Sequence, residues 1–186
     1  MENITKYQFV RIPKTASTSI CQALGKMVEH KTVLELKQEI PNWNDIYSFS
    51  IIRDPYDRFI SMYYFFSVFG RAYKENEILQ KRDINEFLED YNFQTAEIHP
   101  DFRFVRPQTT FLLDEDQKIG VKKLLRFESL AIEWPQLLET LGYAPKPLPH
   151  LRKWHLRPEK VELTPLSKRR IYEYYERDFR LLGYNK

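Results

Sequence analysis

Three observations predict an α/β protein in which helices flank a mainly parallel central sheet in three layers. Short apolar runs alternate with segments whose apolar residues recur at helical spacing. Hydroxyl residues or an Asp-Pro pair follow directly on two of the runs, where helices should start. Of only five glycines, Gly70, Gly142 and Gly183 fall where helices should end.

The first run, Tyr7 to Ile12, reads as a strand broken by Pro13. Ser17, Thr18 and Ser19 are N-cap candidates for a helix reaching about Val28, with Ile20, Ala23, Leu24 and Met27 on its buried face. Tyr47 to Ile52 is a second strand. Asp54 caps and Pro55 opens a helix that carries Phe59, Tyr63 and Phe66 on one stripe and runs to about Gly70. Asp83 to Tyr91 reads as a short capped helix and Asp114 to Gly120 as an exposed turn. Lys123 to Phe127 is a third strand, leading into a helix from Ser129 to Leu141. Lys146 to Pro165 is punctuated by prolines and reads as loop. The last helix starts at Thr164-Pro165 and spaces Ile171, Tyr175, Phe179 and Leu182 before Gly183. In a parallel sheet of this kind, ligands bind beyond the carboxyl ends of the strands.

Composition narrows the class. With 42% hydrophobic and 30% charged residues in 186, a core can form and global disorder is excluded. No apolar stretch approaches the ~20 residues that span a bilayer, and Met1 to Tyr7 lacks the character of a signal peptide. The lone Cys21 excludes an internal disulfide and a cysteine zinc site. His30, His99, His150 and His155 show no metal-ligand spacing, so no metal is expected. The expectation is a single soluble domain over residues 1–186, cytoplasmic in location and not bound to a membrane. Net charge is +3, but Lys146 to Arg170 holds eight basic residues against two acidic ones. Such a segment suits an anionic ligand and equally a solvated basic face.

Two strand-to-helix junctions carry chemistry. In Arg11-Ile12-Pro13-Lys14-Thr15-Ala16-Ser17-Thr18-Ser19, a lysine and four hydroxyls meet the N–H groups of a helix start. That combination favours a phosphate, although neither the Walker A nor the dinucleotide glycine pattern is present. Read without comparison, it is an anion site or a plain helix cap beside a solvated lysine. In the second junction, Arg53-Asp54-Pro55 opens the helix on which Ser61 lies eight residues further on. The planar fork of an arginine suits a second phosphate, but Arg-Asp-Pro is also ordinary strand-exit chemistry.

Pro13-Lys14-Thr15-Ala16-Ser17-Thr18-Ser19 resembles the 5′-phosphosulfate loop of sulfotransferases, above all the carbohydrate enzymes of the heparan sulfate 2-O-sulfotransferase type. Arg53 with Asp54-Pro55, Ser61 and the tyrosines after it resembles the same family's 3′-phosphate motif. The resemblance implies a P-loop-like sulfotransferase fold and the donor 3′-phosphoadenosine 5′-phosphosulfate (PAPS), with 3′,5′-ADP as product. It implies donor contacts from Lys14, Thr15, Ala16, Ser17, Thr18 and Ser19 at the 5′ end and from Arg53 and Ser61 at the 3′-phosphate. Pro149-His150-Leu151-Arg152-Lys153 is similar to the loop that closes over PAPS, adding Arg152 and Lys153.

The transferred group's acceptor hydroxyl must lose a proton, and histidine is the default base. Glu29-His30 stands where the 2-O-sulfotransferases have His-x-His, so the resemblance makes His30 the base and Lys14 its catalytic partner. Glu29 and Glu35 are the fallback bases. Arg11, Arg71 and Lys74 are candidate contacts to the acceptor, a saccharide or another small hydroxylated molecule rather than a nucleic acid. Gln108, in Arg106-Pro107-Gln108-Thr109, matches a recurring family element without an evident role. Two competing readings are a nucleotide-dependent phosphotransferase and a non-catalytic polyanion binder.

Overall fold

A computed structural model describes residues 7–69, 83–93, 104–149 and 160–186. In chain order its elements are β1 (Tyr7–Val10), α1 (Ser17–Leu24), α2 (Val33–Glu39), β2 (Tyr47–Ile52), α3 (Pro55–Phe69), α4 (Ile84–Asp90), α5 (Gln108–Leu112), β3 (Lys123–Arg126), α6 (Leu130–Thr140) and α7 (Pro165–Leu182). Short 3₁₀ turns at Trp43–Asp45 and Phe127–Ser129 precede β2 and α6. The chain divides into two compact units, one of Met1–Arg53 with Gln108–Leu151, the other of Asp54–Pro107 with Arg152–Lys186.

The first unit holds a three-stranded, wholly parallel sheet in the order β1-β2-β3. With its flanking helices this is the expected α/β architecture. Alternate residues Phe9, Phe49, Ile51 and Leu125 supply one apolar cluster, as a period of two requires. Ile20, Cys21 and Leu24 of α1 and Trp134, Leu137 and Leu138 of α6 complete it. Each fully buried side chain of this kind contributes about 1.5–3 kcal/mol. In register at the centre, Phe9 and Phe49 stack with ring centroids 5.1 Å apart.

Helix α1 stops four residues short of the expected Val28. Gly25 takes the left-handed conformation at φ 66°, and the Gly25 and Lys26 N–H groups donate to the Gln22 and Cys21 carbonyls. This closes the helix and leaves Met27 exposed, off the buried face. Helix α2 is not evident from periodicity because it spans only seven residues. A capping box defines it: Thr32 Oγ1 accepts the Glu35 N–H, while the Glu35 carboxylate accepts the Thr32 N–H. Five-residue α5 is likewise too short to leave a periodic pattern.

The second unit packs Phe59 and Tyr63 of α3 with Ile84 and Leu88 of α4 and Ile171, Tyr175 and Phe179 of α7. Asp54 Oδ1 accepts the Asp57 N–H at 2.9 Å, so the Asp-Pro pair starts α3 as its chemistry predicts. Thr164 caps α7, and Gly183, at φ 68°, ends it. Arg58 is buried, yet its guanidinium donates to the carbonyls of Phe104 and Arg106. Between those two residues, the Val105 carbonyl accepts the Tyr175 hydroxyl at 2.6 Å. Among the described residues no helix is long and apolar enough to cross a membrane.

Candidate active site

The loop between β1 and α1 turns sharply without glycine. Lys14 and Ala16 both adopt positive φ, 69° and 61°. A left-handed conformation costs a residue with a Cβ roughly 1–2 kcal/mol. Such strain, held in place by surrounding structure, gathers at sites that bind or react. Left-handed residues in a turn also aim successive N–H groups into one concavity, which suits an anion. Sequence reasoning expected a hydroxyl N-cap; the N-cap is Ala16 instead, and no side chain caps the helix. The first-turn N–H groups of α1 therefore remain as donors at the positive end of the helix.

The four hydroxyls do different work. Thr15 is fully buried, and its Oγ1 donates to the Ile12 carbonyl at 3.0 Å, closing the turn on itself. Arg11 faces the next two, with Nε 3.4 Å from Ser17 Oγ and Nη2 3.4 Å from Thr18 Oγ1. Ser19 is buried within α1.

Arg11 also meets the segment that follows α1. Its Nη1 donates to the Val28 carbonyl at 2.8 Å, and its own carbonyl lies 2.9 Å from His30 Nδ1. A carbonyl can only accept, so Nδ1 carries the proton of that bond. The neutral imidazole then has its lone pair on Nε2. One residue thus steadies both the loop hydroxyls and the half-buried histidine. Of the fallback bases, Glu35 holds the Thr32 cap, and Glu29 is exposed beside Lys31 at 3.4 Å.

Arg53 directly follows β2 in the same unit, nearly fully buried. Its Nη1 donates to the Lys14 carbonyl at 3.3 Å, and its guanidinium carbon lies 4.0 Å over the Phe127 ring. The fold therefore brings the arginine of the second junction against the loop of the first. At the main chain, Gln108 Oε1 accepts the Arg53 N–H at 2.9 Å and Gln108 Nε2 donates to the Arg53 carbonyl at 2.8 Å. Phe127, expected to close the third strand, lies instead in the 3₁₀ turn that follows it, and a lone glutamine at the head of a five-residue helix, as Gln108 is, carries no periodic signal.

Ser61 lies on α3 in the second unit and is buried. Arg71, Lys74, Arg152 and Lys153, with much of the basic segment, lie outside the described residues. Among the described residues, no group of three or more His, Cys, Asp or Glu side chains is placed to hold a metal ion.

The fold gathers the strained loop, with its lysine and its first-turn N–H groups, and the buried Arg53 guanidinium within one unit. Compared with known families, residues 5–185 match the model described as the sulfotransferase family. No curated protein and no solved structure matches significantly.

Proposed function

The chain belongs to the sulfotransferase family, and from that premise we propose that it moves the sulfuryl group of PAPS onto a hydroxyl of a saccharide or other small acceptor. The observation that carries this reading is the 3.3 Å contact between the Arg53 guanidinium and the Lys14 carbonyl. A donor with phosphates at both ends of one nucleoside needs two cationic sites held side by side. The glycine-free nest at Lys14 and Ala16 suits the 5′ end, and the rigid fork of Arg53 suits the 3′-phosphate. When bound, PAPS supplies the activated sulfuryl group.

The chain's own residues then do the rest. Lys14 neutralises charge at the loop, joined by the N–H groups from Thr15 to Ser19 and by the Ser17 and Thr18 hydroxyls, while the Thr15 hydroxyl holds the turn closed. His30, with its proton held on Nδ1 by the Arg11 carbonyl, accepts the acceptor's hydroxyl proton at Nε2. Positioning and electrostatics dominate, as in phosphoryl transfer. In this reading both units act as one sulfotransferase domain, since the family match spans them. Ser61, Arg152 and Lys153 add donor contacts, Arg71 and Lys74 approach the acceptor, and lysine and arginine take the place of a metal.

Thermal unfolding with added nucleotide tests the donor. At 100 times its dissociation constant, 3′,5′-ADP should stabilise the protein by about 2.7 kcal/mol, and ATP with Mg²⁺ should not. Transfer of labelled sulfate from PAPS to a saccharide panel tests the acceptor. Stabilisation by ATP–Mg²⁺ alone would turn the assignment toward a phosphotransferase.

A further inference from the structure

Arg53 lies one residue beyond the last paired position of its strand, where Ile52 faces Arg126. A main chain leaving a sheet must find other partners for its N–H and C=O. Gln108 supplies both, through two short bonds from one planar amide. Its side chain is 0% exposed, so neither bond competes with water. A primary amide carries its acceptor and its donor side by side on one planar group, and asparagine, the other such side chain, is one methylene shorter. The amide thus stands in for a neighbouring strand at the residue where β2 gives way to α3.

The side chain of Arg53 is held as firmly. Phe127 covers one face of the guanidinium and the Lys14 carbonyl takes Nη1. Since an arginine side chain has several rotatable bonds, these contacts fix its head group only while its backbone stays in register with them. The main-chain anchor is Gln108.

We propose that Gln108 is a positioning residue that holds Arg53 in place and thereby sets the site's preference for nucleotides bearing a 3′-phosphate. This rests on the reading that Arg53 takes that phosphate. Gln108 touches neither end of the nucleotide in this scheme; it acts through Arg53. A weakened fold would lower all nucleotide affinities together. A displaced Arg53 lowers only the contribution of the 3′-phosphate.

The test is calorimetric binding of 3′,5′-ADP and of 5′-AMP, which differ in that phosphate alone, to the 186-residue protein and to Gln108→Met. The wild type should prefer 3′,5′-ADP. In Gln108→Met that preference should fall about tenfold or more, the worth of a hydrogen bond to a charged group, while 5′-AMP affinity holds. Should Gln108→Met fail to fold, by its melting curve, Gln108→Asn carries the same comparison. An unchanged preference, or affinities for both nucleotides falling in step, overturns the positioning role. A wild type without preference for 3′,5′-ADP overturns the donor reading, and the inference with it.

Discussion

Replacing His30 with asparagine separates its two jobs. The imidazole donates Nδ1–H to the Arg11 carbonyl at 2.9 Å, a bond worth about 0.5–1.5 kcal/mol net. An asparagine amide nitrogen sits close to where Nδ1 sits and can make the same donation, but it has no basic nitrogen. His30→Asn should therefore fold with nearly wild-type stability and bind 3′,5′-ADP unchanged. Loss of a positioned general base lowers kcat about 10²–10⁴-fold, or roughly 3–5 kcal/mol of barrier. His30→Ala should show the same fall in turnover and, in addition, a loss of about 1 kcal/mol in stability from the vacated carbonyl. The assay pairs turnover of labelled PAPS with denaturant unfolding and nucleotide calorimetry. Near-normal turnover in the asparagine variant would refute the assignment of the base.

Two further outcomes follow from the geometry. Ala16 at φ 61° predicts that glycine is tolerated there and a β-branched residue is not. Ala16→Gly should stay within about 1 kcal/mol of wild type, since relief of left-handed strain offsets the added freedom of the unfolded chain. Ala16→Val should be clearly less stable than Ala16→Gly, because a β-branched side chain is an outlier at positive φ, and should weaken 3′,5′-ADP binding; equal stability of the two in urea would contradict the strained loop. Asp114 supplies a pH test. The N–H groups of Lys118 and Asp116 donate to its carboxylate and Lys37 lies 3.7 Å away, which holds its pKa below the ordinary 3.8, the bond from Lys118 contributing most. A depressed carboxylate stabilises the fold above its unfolded pKa, and the contribution disappears as pH falls through the native value. The gap in melting temperature between wild type and Asp114→Ala should accordingly be widest at neutral pH and narrow below about pH 4; a constant gap would remove the electrostatic cause.

The helix starts of the second unit show what local chemistry can announce. Asp54 with Pro55 and Thr164 with Pro165 cap their helices in the structure as their side chains dictate. Strand β2 spans the very residues its apolar run marks out, Tyr47 to Ile52. Where the reading went astray, at the start and end of α1, a strained loop and a left-handed glycine overrode helical spacing. Periodicity cannot register either, because both are properties of single φ angles.

The sequence by itself determined the alternation of strands and helices and the two junctions worth watching, because caps, proline and side-chain spacing act over a few neighbouring residues. It could not say that the arginine 39 positions after Lys14 would donate to that lysine's carbonyl. Nor could it say that a glutamine 55 residues further on would bond to that arginine's backbone, or that Arg11 would span from the loop hydroxyls to His30. Those contacts join a side chain to a distant backbone atom or hydroxyl, which leaves no pattern in residue types. Only the packing of β1, β2 and β3 side by side decided them, by carrying the strand ends and the loops after them to the same place.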